Sequence, residues 1–270
     1  MLRFSLWESG KLIAGLLGLL LLAAALGVHE VQGAGPFFLA LLHQLLGFAR
    51  GDFGTGAMSG APAAAELAAA GPSSLFLLGI GGALALLLGM PLGLLVGATP
   101  LRRVAPLAHI LTPMPVFCAA LALAWIAFAL LHVPATAKPL LALAVITAAG
   151  TFTVQNNLRR ALAALRTAPF RAGLKQMGLG GWEIGRVYAA PPVLALFLAR
   201  LGEVWLSLVS ALCICEWLFG LPGAGLLLVK SIALQDWNIA ALALLLFASL
   251  TLLIIFLGRL MAHALIGEAP

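Results

Sequence analysis

The chain has 270 residues, of which 63% are hydrophobic and only 9% charged, with a formal net charge of +6. Soluble domains carry roughly a quarter charged residues, so this composition belongs to an integral membrane protein. The basic residues sit at the edges of apolar runs and not in one solvated block, which excludes nucleic acid as a partner.

A membrane helix needs roughly 20 mainly apolar residues. Six segments meet or approach this length: residues 12–28, 73–98, 105–131, 139–157, 193–217 and 239–260. The first follows Arg3 and Lys11 and ends near Ala23-Ala24-Ala25, a pattern shared with cleaved signal peptides. Its 17-residue apolar run is longer than the core of such a peptide, and a retained span is expected. In the second, Gly81, Ala85, Gly89, Gly93 and Gly97 recur every four residues, one stripe along which another helix backbone can approach closely; Pro91 lies in the same helix. The third carries Pro113 and Pro115 and should bend. The fourth loses its apolar character at Val154 and runs on through Gln155, Asn156 and Asn157 into Arg159. If six spans start from an inside amino terminus, 12 of the 15 Lys and Arg residues fall inside and only Arg50, Lys138 and Lys230 outside, which orients the chain with both termini cytoplasmic.

Between Arg159 and Arg200 lie 7 of the 15 basic residues, in a connection that should be cytoplasmic. Within it, Phe170, Leu174 and Met177 fall at i, i+4 and i+7, with Arg171 and Lys175 on a separate stripe, so a short helix here would be amphipathic. Gly178 can cap its C-terminus, Gly180-Gly181 supply a turn, a second helical stretch covers 182–188, and Pro191-Pro192 can begin the next membrane helix. Such a helix can lie in the membrane interface, pack within the chain, or enter a partner's groove.

This loop resembles that of the membrane subunits of ATP-binding-cassette importers, which have a Glu-Ala-Ala triplet, three residues, a Gly and an Ile-x-Leu-Pro ending. Here the Gly is Gly178, the ending is Tyr188-Ala189-Ala190-Pro191, and the triplet position holds Ala172-Gly173-Leu174 without the acidic residue. The resemblance implies that Phe170, Arg171, Ala172, Gly173, Leu174, Lys175, Met177 and Gly178 form a coupling helix that inserts into a cleft of an ATPase subunit.

A sharper resemblance is to the dipeptide, oligopeptide and nickel branch of these importers. It rests on Gly51-Asp52-Phe53-Gly54-Thr55 followed by Gly60-Ala61-Pro62, on Pro91-Leu92-Gly93, on Pro115-Val116-Phe117, and above all on Glu216-Trp217-Leu218-Phe219-Gly220-Leu221-Pro222-Gly223-Ala224-Gly225. The last is similar to the branch's Glu-x-x-Phe-x-x-Pro-Gly-x-Gly, and Gln235-Asp236-Trp237 stands where it has Arg-Asp-Tyr. The region 29–50 is short for the branch and lacks its Leu-Gly-Leu-Asp-x-Pro stretch, the 132–138 connection is brief, and the Asp-Pro-Arg tail is replaced by Gly267-Glu268-Ala269-Pro270. The resemblance implies an all-α polytopic membrane domain over 1–270 with its core at 73–262, about six transmembrane helices, and a place in a bacterial inner membrane. It also implies a second related permease, ATPase subunits and an extracytoplasmic solute-binding protein as partners beside membrane lipid. The cargo would be a peptide, a nickel chelate or another small solute.

Taken on the residues themselves, Pro222, Gly223 and Gly225 set a tight turn at the outer end of the fifth span, and residues 226–234 can form an amphipathic helix along that face. Glu216 and Asp236 read first as solvated loop charges or helix caps, and second as substrate contacts. Glu203, three residues from Arg200 near the inner part of the same span, should pair there; as an intramembrane acid it is also a candidate for the substrate pathway, together with Glu216. Cys118, Cys213 and Cys215 lie in apolar segments, and the five histidines show no ligand spacing, so neither a metal site nor a cofactor is expected. No GxSxG or Walker sequence occurs, so no catalytic residue is assigned and ATP hydrolysis falls to a partner. The alternatives from other classes are a proton-coupled secondary transporter and an intramembrane enzyme.

Overall fold

The computed structural model describes residues 2–28, 34–56, 60–98, 122, 126, 134–166, 176–178, 180 and 183–266. The described chain is all helical apart from an isolated antiparallel bridge between Thr55 and Pro62. Its α-helices are α1 (Leu2–Gly27), α2 (Ala34–Ala49), α3 (Ala63–Ala98), α4 (Lys138–Arg166), α5 (Ala190–Leu198), α6 (Leu201–Phe219), α7 (Ala224–Ala233) and α8 (Trp237–Ile266). Five of them, α1, α3, α4, α6 and α8, are long and apolar enough to cross a bilayer. The protein is a polytopic all-α membrane protein. The expected third span, 105–131, lies outside the described residues apart from Ala122 and Ile126.

Side-chain contacts fix the directions of the helices. Phe4 stacks on His263 and Ala23 packs with Ala241, so α1 and α8 are antiparallel and the two described chain ends share one end of the bundle. Trp205 donates to Thr251 Oγ1 (3.0 Å), and Thr153 donates to Ser207 Oγ (3.0 Å), which makes α6 antiparallel to both α8 and α4. Helix α3 runs parallel to α4. Arg50, Lys138 and Lys230 consequently lie at the end opposite Lys11, Arg160, Arg200 and Arg259, the segregation that the charge count predicts. Cysteines introduced at Thr55 and Ala135 should therefore label from one side of the membrane and a cysteine at Gln176 only from the other. Labelling of all three from one side would break this topology.

Helices α3 and α4 pack closely along a seam of small residues. A side chain at Gly81 would touch Ile146, one at Gly150 would touch Ala85, one at Gly89 would meet Val154 at 2.7 Å, and one at Gly93 would meet Leu158 at 3.1 Å. Both helices advance in the same four-residue steps, so one stripe faces the other along several turns. Large side chains such as Leu87, Leu140, Leu206 and Leu253 point outward, while Ala85, Ala142, Ala149 and Ala211 are buried. In lipid there is no hydrophobic gain from burying leucine, so small residues that allow close van der Waals contact take the interior.

Two elements depart from the sequence reading. Region 29–50, read as an outer connection, contains α2, whose Leu41 and Leu45 pack with Phe48 against Ala23 and Ala24 of α1. Its 16 residues span about 24 Å at ~1.5 Å per residue, short of a bilayer core of about 30 Å. The fifth span, read as continuous over 193–217, is interrupted at Ala199-Arg200, where Arg200 leaves the helical region with φ −107 and ψ 12. Upstream, a π-helical turn (Ile184–Ala189) runs into α5 at Pro191-Pro192. Prolines have no N–H to donate to the preceding turn, and the wider turn accommodates that loss. The expected outer helix at 226–234 is present as α7, beginning two residues earlier.

Candidate functional site

Among the described residues, three assemblies built on charged side chains interrupt the apolar bundle, and Glu216 and Glu203 fall in the first two. The first is at the end of α6. Gly220 adopts φ +64, a left-handed cap that a side chain would strain, and the Leu221 N–H donates to the Glu216 carbonyl (2.9 Å). This turn folds the chain back over the Glu216 side chain, which is fully buried. Its Oε2 accepts the N–H groups of Gly225 (2.8 Å) and Leu226 (3.0 Å) at the start of α7, and its Oε1 accepts the Ser74 hydroxyl (2.6 Å). Ser74 Oγ in turn accepts the Ala224 N–H (2.7 Å), while the Ser73 hydroxyl lies between the carbonyls of Ala70 and Pro222. A helix N-terminus leaves its first N–H groups unpaired, and here a carboxyl group from the preceding helix satisfies two of them. Gly223 sits so close that a β-carbon there would overlap the Glu216 carboxyl.

The reading of Glu216 as a solvated charge is thereby corrected, because Gly220 reverses the chain and closes it over the carboxyl. The capping alternative describes what it does. Asp236 is likewise buried, at the start of α8, where its Oδ1 lies 3.5 Å from the Ile239 N–H. Beside it, the Asn238 side chain donates to the Thr55 carbonyl (3.1 Å), and Asp52 Oδ1 accepts the Gly54 N–H (3.0 Å). The three segments 51–55, 216–225 and 235–237 therefore meet at one end of the bundle.

The second assembly surrounds the break between α5 and α6. Glu203 lies 4.0 Å from Arg200 and 3.8 Å from Arg160, with all three side chains about half exposed. Asn157, almost fully buried, donates to the Arg200 carbonyl (3.5 Å), which also accepts the Glu203 N–H (3.0 Å). On the other side, Gly258 of α8 lets the Leu198 carbonyl approach, and Gly202 receives Ile255. The expected Arg200 and Glu203 pair is present, joined by Arg160. Glu203 and Glu216 are 13 residues apart on one helix, about 20 Å at ~1.5 Å per residue, so the structure does not join them in a single site.

The third assembly joins the ends of α1 and α8. Glu8, buried, accepts Lys11 (2.7 Å) and Arg259 (3.0 Å).

Of the coupling candidates, Phe170, Arg171, Ala172, Gly173, Leu174 and Lys175 lie outside the described residues. Met177 is strongly exposed, and Gly178 has φ +80, the left-handed conformation that a C-cap glycine takes. Sequence reasoning did not single out Ser73, Ser74, Asn157 or Glu8. A serine pair after Pro72 in an apolar helix, and acids or amides inside predicted spans, were the signals available for them.

Compared with known proteins, the chain matches no family model and no curated sequence.

Proposed function

We propose that the chain is the transmembrane subunit of a binding-protein-dependent ATP-binding-cassette importer in a bacterial inner membrane, with both termini cytoplasmic. It would pair with a second, related permease and pass a peptide, a nickel chelate or another small solute. ATP would be bound and hydrolysed by separate ATPase subunits docked on the basic loop. The observation that supports this reading is that two of the resembling segments are fastened to distant parts of the chain at one end of the bundle: Thr55 to Asn238, next to 235–237, and Glu216 to Ser74, across 183 and 142 residues of sequence. The segments 51–55, 216–225 and 235–237, which resemble parts of one importer branch, lie at one end of the bundle, opposite Arg160 and Arg200.

In this proposal the loop is coupled to the bundle through α5. That helix packs on α4 and α8 and passes through the Ala199-Arg200 break into α6, so a push on the loop reaches the pathway helices at a point where the backbone is already interrupted. Phe170, Leu174 and Met177 would be the docking anchors, with Arg171 and Lys175 at the rim. Truncating a buried interface anchor commonly costs about 2 kcal/mol or more, and an exposed rim charge under about 1. Phe170→Ala should therefore reduce co-purification of the ATPase subunits much more than Lys175→Ala, and should lower solute-stimulated ATPase activity in parallel. The reverse order, or solute uptake driven by a proton gradient with no ATPase subunit present, would overturn the proposal and favour a secondary transporter.

A further inference from the structure

A pocket of ≈320 Å³ opens where the start of α1, the middle of α5 and the end of α8 meet, lined by Phe4, Glu8, Leu196, Ala199, Arg259 and His263 among others. That volume is at the small end of the roughly 300–1,000 Å³ typical of ligand sites. Its lining is mostly apolar, with Glu8, Arg259 and His263 as the polar members.

With Lys11 beside the pocket, the charge balance around Glu8 is positive. The Glu8 carboxylate is divided between two cations, Lys11 on one oxygen at 2.7 Å and Arg259 on the other at 3.0 Å, which leaves the trio with one formal positive charge. Lys11 and Arg259 remain close to half exposed. An ammonium has three donors and a guanidinium five, so each retains N–H groups for an outside acceptor. Next to Arg259, His263 is held flat against Phe4 with ring centroids 4.0 Å apart, and its Nε2 is enclosed with no hydrogen-bond partner among the described residues.

The level of the pocket along the bundle is marked independently. Trp7 projects outward, 66% exposed, with the Lys11 ammonium 5.0 Å from its ring centroid. Tryptophan and lysine together on a lipid-facing helix end mark the headgroup layer. The pocket is thus at the depth of lipid phosphates, adjoins a trio of one net positive charge, and is lined by the apolar Phe4, Leu196 and Ala199.

We propose that this pocket binds the headgroup of one anionic phospholipid from the leaflet at the chain-end face, with the exposed N–H groups of Arg259 and Lys11 holding the phosphate. Glu8 fixes the orientation of both cations. The bound lipid would tie α1 to α5 and α8, three helices that otherwise meet here over a void.

The test is a lipid titration of the detergent-purified full chain followed by native mass spectrometry, with phosphatidylglycerol and phosphatidylcholine of matched acyl chains. One phosphatidylglycerol should bind about tenfold more tightly than phosphatidylcholine, the effect of one charge-assisted hydrogen bond. Excess inorganic phosphate should not displace it, because the mostly apolar lining needs the acyl and glycerol part. Arg259→Gln should abolish the preference, but it also releases Glu8. Lys11→Gln keeps the Glu8 to Arg259 pair, and a Lys11→Gln protein that elutes normally in gel filtration should lose most of the preference too. Lys230→Gln, at the opposite end of the bundle, should retain it. Equal binding of the two lipids, displacement by inorganic phosphate, or full preference in the folded Lys11→Gln protein would each overturn the site.

Discussion

Glu216→Ala is expected to lower the folded population more than any other single side-chain truncation in the bundle. The substitution removes the acceptor for three donors at once: the N–H groups of Gly225 and Leu226 and the hydroxyl of Ser74. Each buried donor left unmade costs about 1–3 kcal/mol, and local relaxation recovers part of it, so a loss of about 4 kcal/mol is expected. Against a typical stability of about 5–15 kcal/mol, that is enough to unfold much of the protein. The controls follow from the geometry. Glu216→Gln keeps one oxygen for the α7 N–H groups and turns an amide toward Ser74, and should lose only about 1–2 kcal/mol. Gly223→Ala should resemble Glu216→Ala, because its β-carbon would occupy the place of the carboxyl. Gly220→Ala faces open space and pays only left-handed strain, about 1–2 kcal/mol. Thermal unfolding in detergent, followed by gel filtration, ranks the four. If Glu216→Ala melted like the parent protein, Glu216 would not be the cap that fastens α7 to α3.

The same region shows how far the sequence could be read. Hydropathy located five of the described spans because a bilayer imposes one length on every crossing, and the four-residue repeat of small residues located one side of the α3 to α4 seam because helix geometry alone puts them on one face. The turn residues Gly220, Pro222, Gly223 and Gly225 were legible as a turn. The partner of Glu216 was not. A carboxyl group one turn from a helix end looks the same in sequence whether it faces water or folds under the next helix, and the choice here depends on the hand of the Gly220 turn and on Ser74, distant in sequence. Asn157 raised the same difficulty: it reads as the fraying tail of a span, and it becomes a buried ligand of the Arg200 carbonyl only because α6 breaks opposite it. That break has no proline or glycine at Ala199-Arg200 to announce it; the glycines that permit it, Gly202 and Gly258, lie outside the interruption itself. Helix α2 escaped because 16 residues of apolar sequence fall below the length that a spanning helix needs, although packing on α1 stabilises it.

The seam between α3 and α4 supplies the other large effect, and a control lies on the same helix. A β-carbon at Gly89 would lie 2.7 Å from Cβ and Cγ1 of Val154 and 2.9 Å from the Thr151 carbonyl oxygen, so even alanine must push the two backbones apart. A β-carbon at Gly79 would meet nothing within 4 Å. In an unconstrained helix, glycine to alanine is favourable by up to about 1 kcal/mol, so Gly79→Ala should be neutral or mildly stabilising. Gly89→Ala has to offset that gain against overpacking of about 1–3 kcal/mol, and Gly89→Val should cost about 3 kcal/mol or more because two further methyl groups enter a filled seam. Val154→Ala removes Cγ1 but leaves its Cβ and the Thr151 carbonyl in place. It should therefore rescue Gly89→Val only in part, with a coupling of about 1 kcal/mol between the two sites in a double-mutant cycle. The measurement is the unfolding midpoint of each variant in mixed micelles. Gly89→Ala behaving like Gly79→Ala would mean that α3 and α4 do not meet along this stripe. Since α4 also packs on α5 and α6, the error would extend to Ile146, Leu158 and the helices packed against them.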